Sequence, residues 1–169
     1  ILSGPEPQRT LLLEEAARAL RDIETVILST SPAPHTFGRK HTEVTFVTAP
    51  DRETIRSIIA SSSLVIARAG YTSVMELFSM NRGAVIIPTP GQTEQEYIGK
   101  YLDGKYGFIT IKQDKIEKLP QIVTDDAGFA TAGPGDGIRH GMARPGADSS
   151  FAKALFEKAI DYLLEQKKK

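Results

Sequence analysis

Five short runs of apolar, largely β-branched residues punctuate the sequence: Thr25–Ser29, Val44–Val47, Leu64–Ala67, Ala84–Ile87 and Phe108–Ile111. Several are almost continuously hydrophobic, the pattern of strands covered on both faces of a parallel sheet. Between them the period becomes helical. Leu13, Ala16, Ala17 and Leu20 form one stripe at i, i+3, i+4, i+7 spacing. Ile55, Ile58 and Ile59 form a second behind Asp51 as N-cap, Val74, Leu77 and Phe78 a third, and Tyr97, Tyr101 and Leu102 a fourth. A fifth, Ala152, Leu155, Phe156, Ala159, Ile160 and Leu163, predicts a C-terminal helix at about 151–166. Strands alternating with helices specify an α/β sheet with right-handed crossovers. The chain opens on Ile1-Leu2-Ser3-Gly4, which reads as a strand already in progress and predicts an upstream part that has been cut away. With that strand counted first, the expectation is a Rossmann-like open parallel sheet of about six strands with helices on both faces.

A length of 169 residues suits one domain, 1–169, able to bury a core without disulfide or metal staples. Lys+Arg and Asp+Glu balance at 21 each, which argues against a nucleic-acid module with its basic face. With no cysteine, disulfide frameworks, thiolate metal sites and thiol nucleophiles are excluded. No apolar run is long enough for a transmembrane segment, and no signal-peptide pattern opens the chain. A cytoplasmic location is expected, with any peripheral membrane contact made through the upstream part. One stretch breaks the alternation: residues 125–150 hold six of the 14 glycines, two prolines and no apolar period. That composition predicts a surface loop contributing little to the core.

Ligands of open parallel sheets bind beyond the carboxyl ends of the strands. Three segments lie there: Ser3-Gly4-Pro5-Glu6-Pro7-Gln8-Arg9-Thr10, Arg68-Ala69-Gly70-Tyr71-Thr72-Ser73, and Pro88 through Glu96. The first two are glycine-bearing turns into helices, whose free N–H groups and dipole favour an anion. They are neither Walker nor GxGxxG loops, and a helix needing a tight entrance explains them equally well. On the helix after Gly70, Thr72, Ser73 and Glu76 share a side away from the apolar stripe. Glu76 is either a first-turn acid serving the helix dipole or a bidentate acceptor for a sugar diol. His35, His41 and His140 are scattered and read as surface residues. No Asp-x-Asp pair is present to hold a divalent ion on a diphosphate.

The run Arg68-Ala69-Gly70-Tyr71-Thr72-Ser73-Val74-Met75-Glu76, then Gly83-Ala84-Val85-Ile86-Ile87-Pro88, then Gln95-Glu96-Tyr97, resembles the donor-binding half of GT-B glycosyltransferases. Within them it is most similar to glycosyltransferase family 28, which includes the peptidoglycan N-acetylglucosaminyltransferase. The resemblance spans about residues 1–111, and Glu96 stands where the family pattern has Gln. It implies one half of a GT-B fold that binds a nucleoside-diphosphate sugar, UDP-sugar or UDP, without metal or other cofactor. Gly70, Thr72 and Ser73 are implied to hold phosphate, Glu76 the ribose, and Gln95 and Glu96 the donor sugar. Gly4, Gln8 and Arg9 would come from a phosphate-facing first loop, and Arg9 and Arg68 are the cations that would offset diphosphate charge, with a structural ion pair as the equal alternative for Arg68. The nucleobase would lie against Thr48–Arg52. Catalytic residues and the acceptor pocket are expected on an absent N-terminal domain or a partner chain, leaving this chain inactive alone. A separate donor-binding subunit of a two-chain transferase, or half of a nucleotide-sugar epimerase, remains the alternative.

Overall fold

The structure, a computed structural model, describes residues 1–32 and 44–125. The expected loop at 125–150, apart from its first residue, and the expected helix at 151–166 lie outside the described residues, as do all three histidines. Among the described residues there are five parallel strands: β1 (Thr25–Ser29), β2 (Val44–Thr48), β3 (Ile66–Arg68), β4 (Ala84–Ile87) and β5 (Phe108–Thr110). β1 pairs with β2, and β3, β4 and β5 pair in that order. The opening residues join the two groups. Leu2 bridges Ser29 in parallel and its N–H donates to the Leu28 carbonyl at 2.8 Å, while the Ile1 nitrogen donates to the Ile66 carbonyl at 2.5 Å. The spatial order is therefore β2, β1, Ile1–Leu2, β3, β4, β5. With Ile1–Leu2 counted as the first strand, this is the doubly wound order 3-2-1-4-5-6. The first of the six expected strands is thus a single bridge at Leu2 rather than a full strand.

β4 explains why its run is uniformly apolar. Ala84 and Ile86 enter one core with Val74, Leu77 and Phe78 of helix α3 (Tyr71–Ser79), Ile98 and Leu102 of α4 (Thr93–Leu102), and Ile59 of α2 (Arg52–Ser61). Val85 and Ile87 enter the opposite core with Leu12, Leu13 and Ala17 of α1 (Gln8–Ala19). All four β4 residues are fully buried, so a two-period alternation in polarity cannot appear. On β3 the same alternation sends Ala67 to the α3 side, whereas Ile66 and Arg68 face α1.

β3 starts two residues later than its apolar run suggests, because pairing with β4 begins at Ile66 opposite Val85. After β5 the chain forms a 3-10 helix (Gln113–Lys118) and a short helix α5 (Leu119–Asp125), neither of which the periodicity announced. They close the α1 face through Ile116 and Leu119. Two glycines permit the close approach of β4 and β5: a Cβ on Gly83 would lie 2.2 Å from the Gly107 carbonyl oxygen, which accepts the Ala84 N–H at 3.1 Å. Among the described residues, no helix is long and apolar enough to cross a membrane.

Candidate functional site

The strand order reverses between Ile1–Leu2 and β3, and such a reversal opens a crevice at the carboxyl ends because the following helices pack on opposite faces. The loop after Leu2 and the turn after β3 flank it. Gly4 adopts φ +109°, and a Cβ there would stand 3.7 Å from Thr89 Oγ1 at the end of β4, so the first loop reaches across the strand ends. All three segments singled out from the sequence thus gather on one rim.

The turn after β3 has a distinctive geometry. Gly70 is the N-cap of α3, with φ −80° and ψ 140°, values open to any residue. A Cβ there would meet nothing within 4 Å, and no side chain caps the helix. Neither backbone conformation nor packing requires glycine at this position. An uncapped helix start beside open space instead leaves room for an anion to approach the backbone closely. Thr72 is exposed and Ser73 half-buried in the same first turn.

The first loop is more self-contained. Glu6 accepts the Thr10 N–H at 3.2 Å and also pairs with Arg9, whose other terminal nitrogen donates to Ser31 Oγ at 2.5 Å. Hydrogen bonding from Thr10, aided by Arg9, holds the Glu6 carboxyl below its ordinary range. An acid of the chain's own therefore sits at the start of α1, and Arg9 serves it. Gln8 contributes its carbonyl to Arg68.

Arg68 is 1% exposed. One terminal nitrogen donates to the Gln8 carbonyl at 2.8 Å; the other donates to Gln113 Oε1 at 2.9 Å and reaches the Ile87 and Pro88 carbonyls at 3.4 Å. It thus ties the start of α1, the end of β4 and the 3-10 helix together beneath the rim. Burial pulls its pKa down to about 10, against a weaker opposing effect from the Glu15 charge. Any contribution to an anion in the crevice would act as a buried charge, not a direct contact.

Gln95 and Glu96 also engage their own loop. Gln95 Oε1 accepts the Thr89 N–H at 2.9 Å, its amide nitrogen donates to Gln92 Oε1 at 2.6 Å, and Glu96 Oε1 accepts the Gly91 N–H at 3.0 Å. These bonds shape the β4–α4 turn, where Gly91 takes φ +79°. Glu76 lies in the second turn of α3, not the first, and faces α2: Arg56 Nη1 donates to its Oε1 at 3.1 Å, and Arg52 Nη2 stands 3.6 Å from its Oε2. The first-turn role for Glu76 is thereby replaced by an interhelical pairing.

Sequence reasoning named Thr89 and Arg52 only as members of the segments Pro88–Glu96 and Thr48–Arg52, without a role of their own, and passed over Arg56. Thr89 is 1% exposed with Oγ1 lacking a hydrogen-bond partner, at the place where Gly4 crosses β4; its position one residue past the strand-ending Pro88 was the available signal. Arg52 and Arg56 share a helix face by their i, i+4 spacing, which was equally visible. Among the described residues, no group of three or more His, Cys, Asp or Glu converges as a metal site would require.

A doubly wound α/β domain with an uncapped, glycine-entered helix at its switch point has the architecture whose ligands bind beyond the carboxyl ends of the strands. Residues 12–131 match the glycosyltransferase family 28 C-terminal domain, and the chain belongs to that family. It is a Rossmann-like half of a GT-B glycosyltransferase, the half that binds the donor. No curated protein and no solved structure matches the chain.

Proposed function

We propose that this domain binds a UDP-sugar at the crevice between the first loop and α3 and presents it to an acceptor hydroxyl. Gly70 carries the reading: it has no conformational or steric need to be glycine, yet it opens an uncapped helix start into empty space. The diphosphate sits there on the N–H groups of the first turn, with Thr72 and Ser73 as hydroxyl donors and the buried Arg68 charge behind. Glu76 lies six residues further on, about 9 Å along the axis at 1.5 Å per residue, a suitable separation for a ribose diol. The donor sugar lies toward Gln95, Glu96 and the first loop at Gly4, Gln8 and Arg9.

The chemistry is direct displacement at the anomeric carbon. The acceptor oxygen forms the new bond as the bond to the diphosphate breaks, and the leaving diphosphate keeps the electron pair. Preorganised N–H dipoles stabilise that growing charge without needing to reorient. The base that takes the acceptor proton, and the acceptor pocket, belong to a complementary domain or partner chain.

The test is a titration of the chain with UDP, GDP and TDP, followed by thermal melting, with and without magnesium. UDP is expected to raise Tm without metal, by the equivalent of about 2.7 kcal/mol at 100 times its Kd. A shift seen only with magnesium would refute the metal-free reading, and no shift under either condition would refute nucleotide binding here.

A further inference from the structure

We infer that Arg56 is a positioning residue that holds one oxygen of Glu76 and leaves the other for the ribose, while Arg52 occupies that second oxygen until nucleotide arrives. The inference rests on the proposed role of Glu76 in binding the ribose diol.

The two arginines are placed by the start of α2. Asp51 Oδ1 accepts the Thr54 N–H at 2.7 Å and fixes Arg52 as the first helical residue. Arg56 follows one turn later on the same face, and both guanidinium groups reach across to α3. Their contacts with Glu76 differ in kind. Arg56 makes a hydrogen bond of 3.1 Å to Oε1, with its side chain 42% exposed. Arg52 stands 3.6 Å from Oε2, beyond hydrogen-bond length, with its side chain 78% exposed. A charge-assisted hydrogen bond beside a carboxylate only 23% exposed restrains it. A long pair made by an exposed side chain contributes little and is readily exchanged.

A carboxylate that binds a vicinal diol must offer lone pairs in a fixed direction. Glu76 carries three side-chain torsions, and without a partner its oxygens would sweep a wide arc. Arg56 fixes Oε1 from the side of α2, which sets the plane of the carboxylate and the direction of Oε2. The incoming diol then displaces Arg52. That arginine begins α2 at the end of Thr48–Arg52, the segment whose backbone is expected to face the nucleobase, so its side chain yields to the nucleotide without itself holding it.

The experiment compares UDP with 2′-deoxy-UDP, because loss of the 2′-hydroxyl reports on the diol contact alone. The parent is expected to favour UDP by roughly tenfold, the worth of one charge-assisted hydrogen bond. E76Q and R56A should each reduce that preference to near unity, and the double variant should show no further loss. R56K should restore part of the preference. R52A should keep it and bind UDP at least as tightly as the parent. A merely structural pair would alter Tm without changing the ratio of the two affinities. If E76Q abolishes the preference and R56A retains it, the positioning role is overturned while the ribose role of Glu76 stands. Weaker UDP binding by R52A would overturn the displacement step. If the parent shows no preference, or E76Q retains the parent's, the underlying reading falls and the inference with it.

Discussion

Substituting Gly70 with serine separates ligand binding from folding, because the two effects have opposite signs. At φ −80° and ψ 140°, serine adopts the native backbone conformation without strain, and its Cβ has open space around it. Replacing glycine at a compatible position stabilises a fold by about 0.4–1 kcal/mol through the unfolded chain. Serine is also a favoured N-cap, and its Oγ can accept an N–H of the first turn, adding a few tenths of a kcal/mol over glycine. The sum, about 1 kcal/mol, corresponds to a Tm increase of roughly 2–4 °C for a chain of this size. The same hydroxyl would take up the N–H group and the space that a phosphate needs. Loss of one charge-assisted hydrogen bond then weakens UDP binding about tenfold or more. Differential scanning fluorimetry and calorimetric titration of Gly70→Ser measure both quantities on one sample. A raised Tm with unchanged UDP affinity would refute the phosphate site at α3. A lowered Tm would refute the local geometric argument.

Gly83→Ala places a methyl group 2.2 Å from the Gly107 carbonyl oxygen at a β4–β5 contact where backbone meets backbone. A loss of about 1–3 kcal/mol, several degrees of Tm, is expected in thermal melts. Asp51→Ala removes the cap of α2 and should lower Tm at pH 7. The Thr54 N–H holds the Asp51 carboxyl below its ordinary 3.8, so this stabilisation is present above about pH 3.8 and is lost as pH falls through the lower folded value. Melts of parent and variant from pH 7 down to pH 3 should therefore converge at the acid end.

The fold was legible where burial alone dictates sequence. Ala84-Val85-Ile86-Ile87 reads as a strand covered on both faces, and the stripe Val74, Leu77, Phe78 reads as one face of a helix. The 3-10 helix and α5 were not legible. Their core contribution comes from Ile116 and Leu119, with Ile122 and Val123 packed against them, a stripe of only four residues that crosses from one helix type to the other at Leu119. The start of β3 was misjudged for a related reason: hydrophobicity marks the run Leu64–Ala67, but register against Val85 decides where pairing begins.

The site was legible in outline and not in wiring. Position on the carboxyl ends of strands follows from topology, so the three rim segments could be named from sequence. Which polar groups face a ligand could not, because the chemistry that recognises a ligand also builds a loop. Gln95 and Glu96 have the acceptors a sugar would seek, and in this structure those acceptors satisfy the N–H groups of Thr89 and Gly91. Arg68 has the charge a diphosphate would seek, and that charge is buried under carbonyls from three separate elements. Gly70 is informative for the opposite reason. Serine would make it a better cap, a Cβ there would meet no atom within 4 Å beyond its chain neighbours, and its dihedrals demand nothing. A glycine that caps its helix less well than serine would, and that neither its dihedrals nor its packing demand, is what supports the proposed phosphate site at α3, and Gly70→Ser is the substitution that tests it.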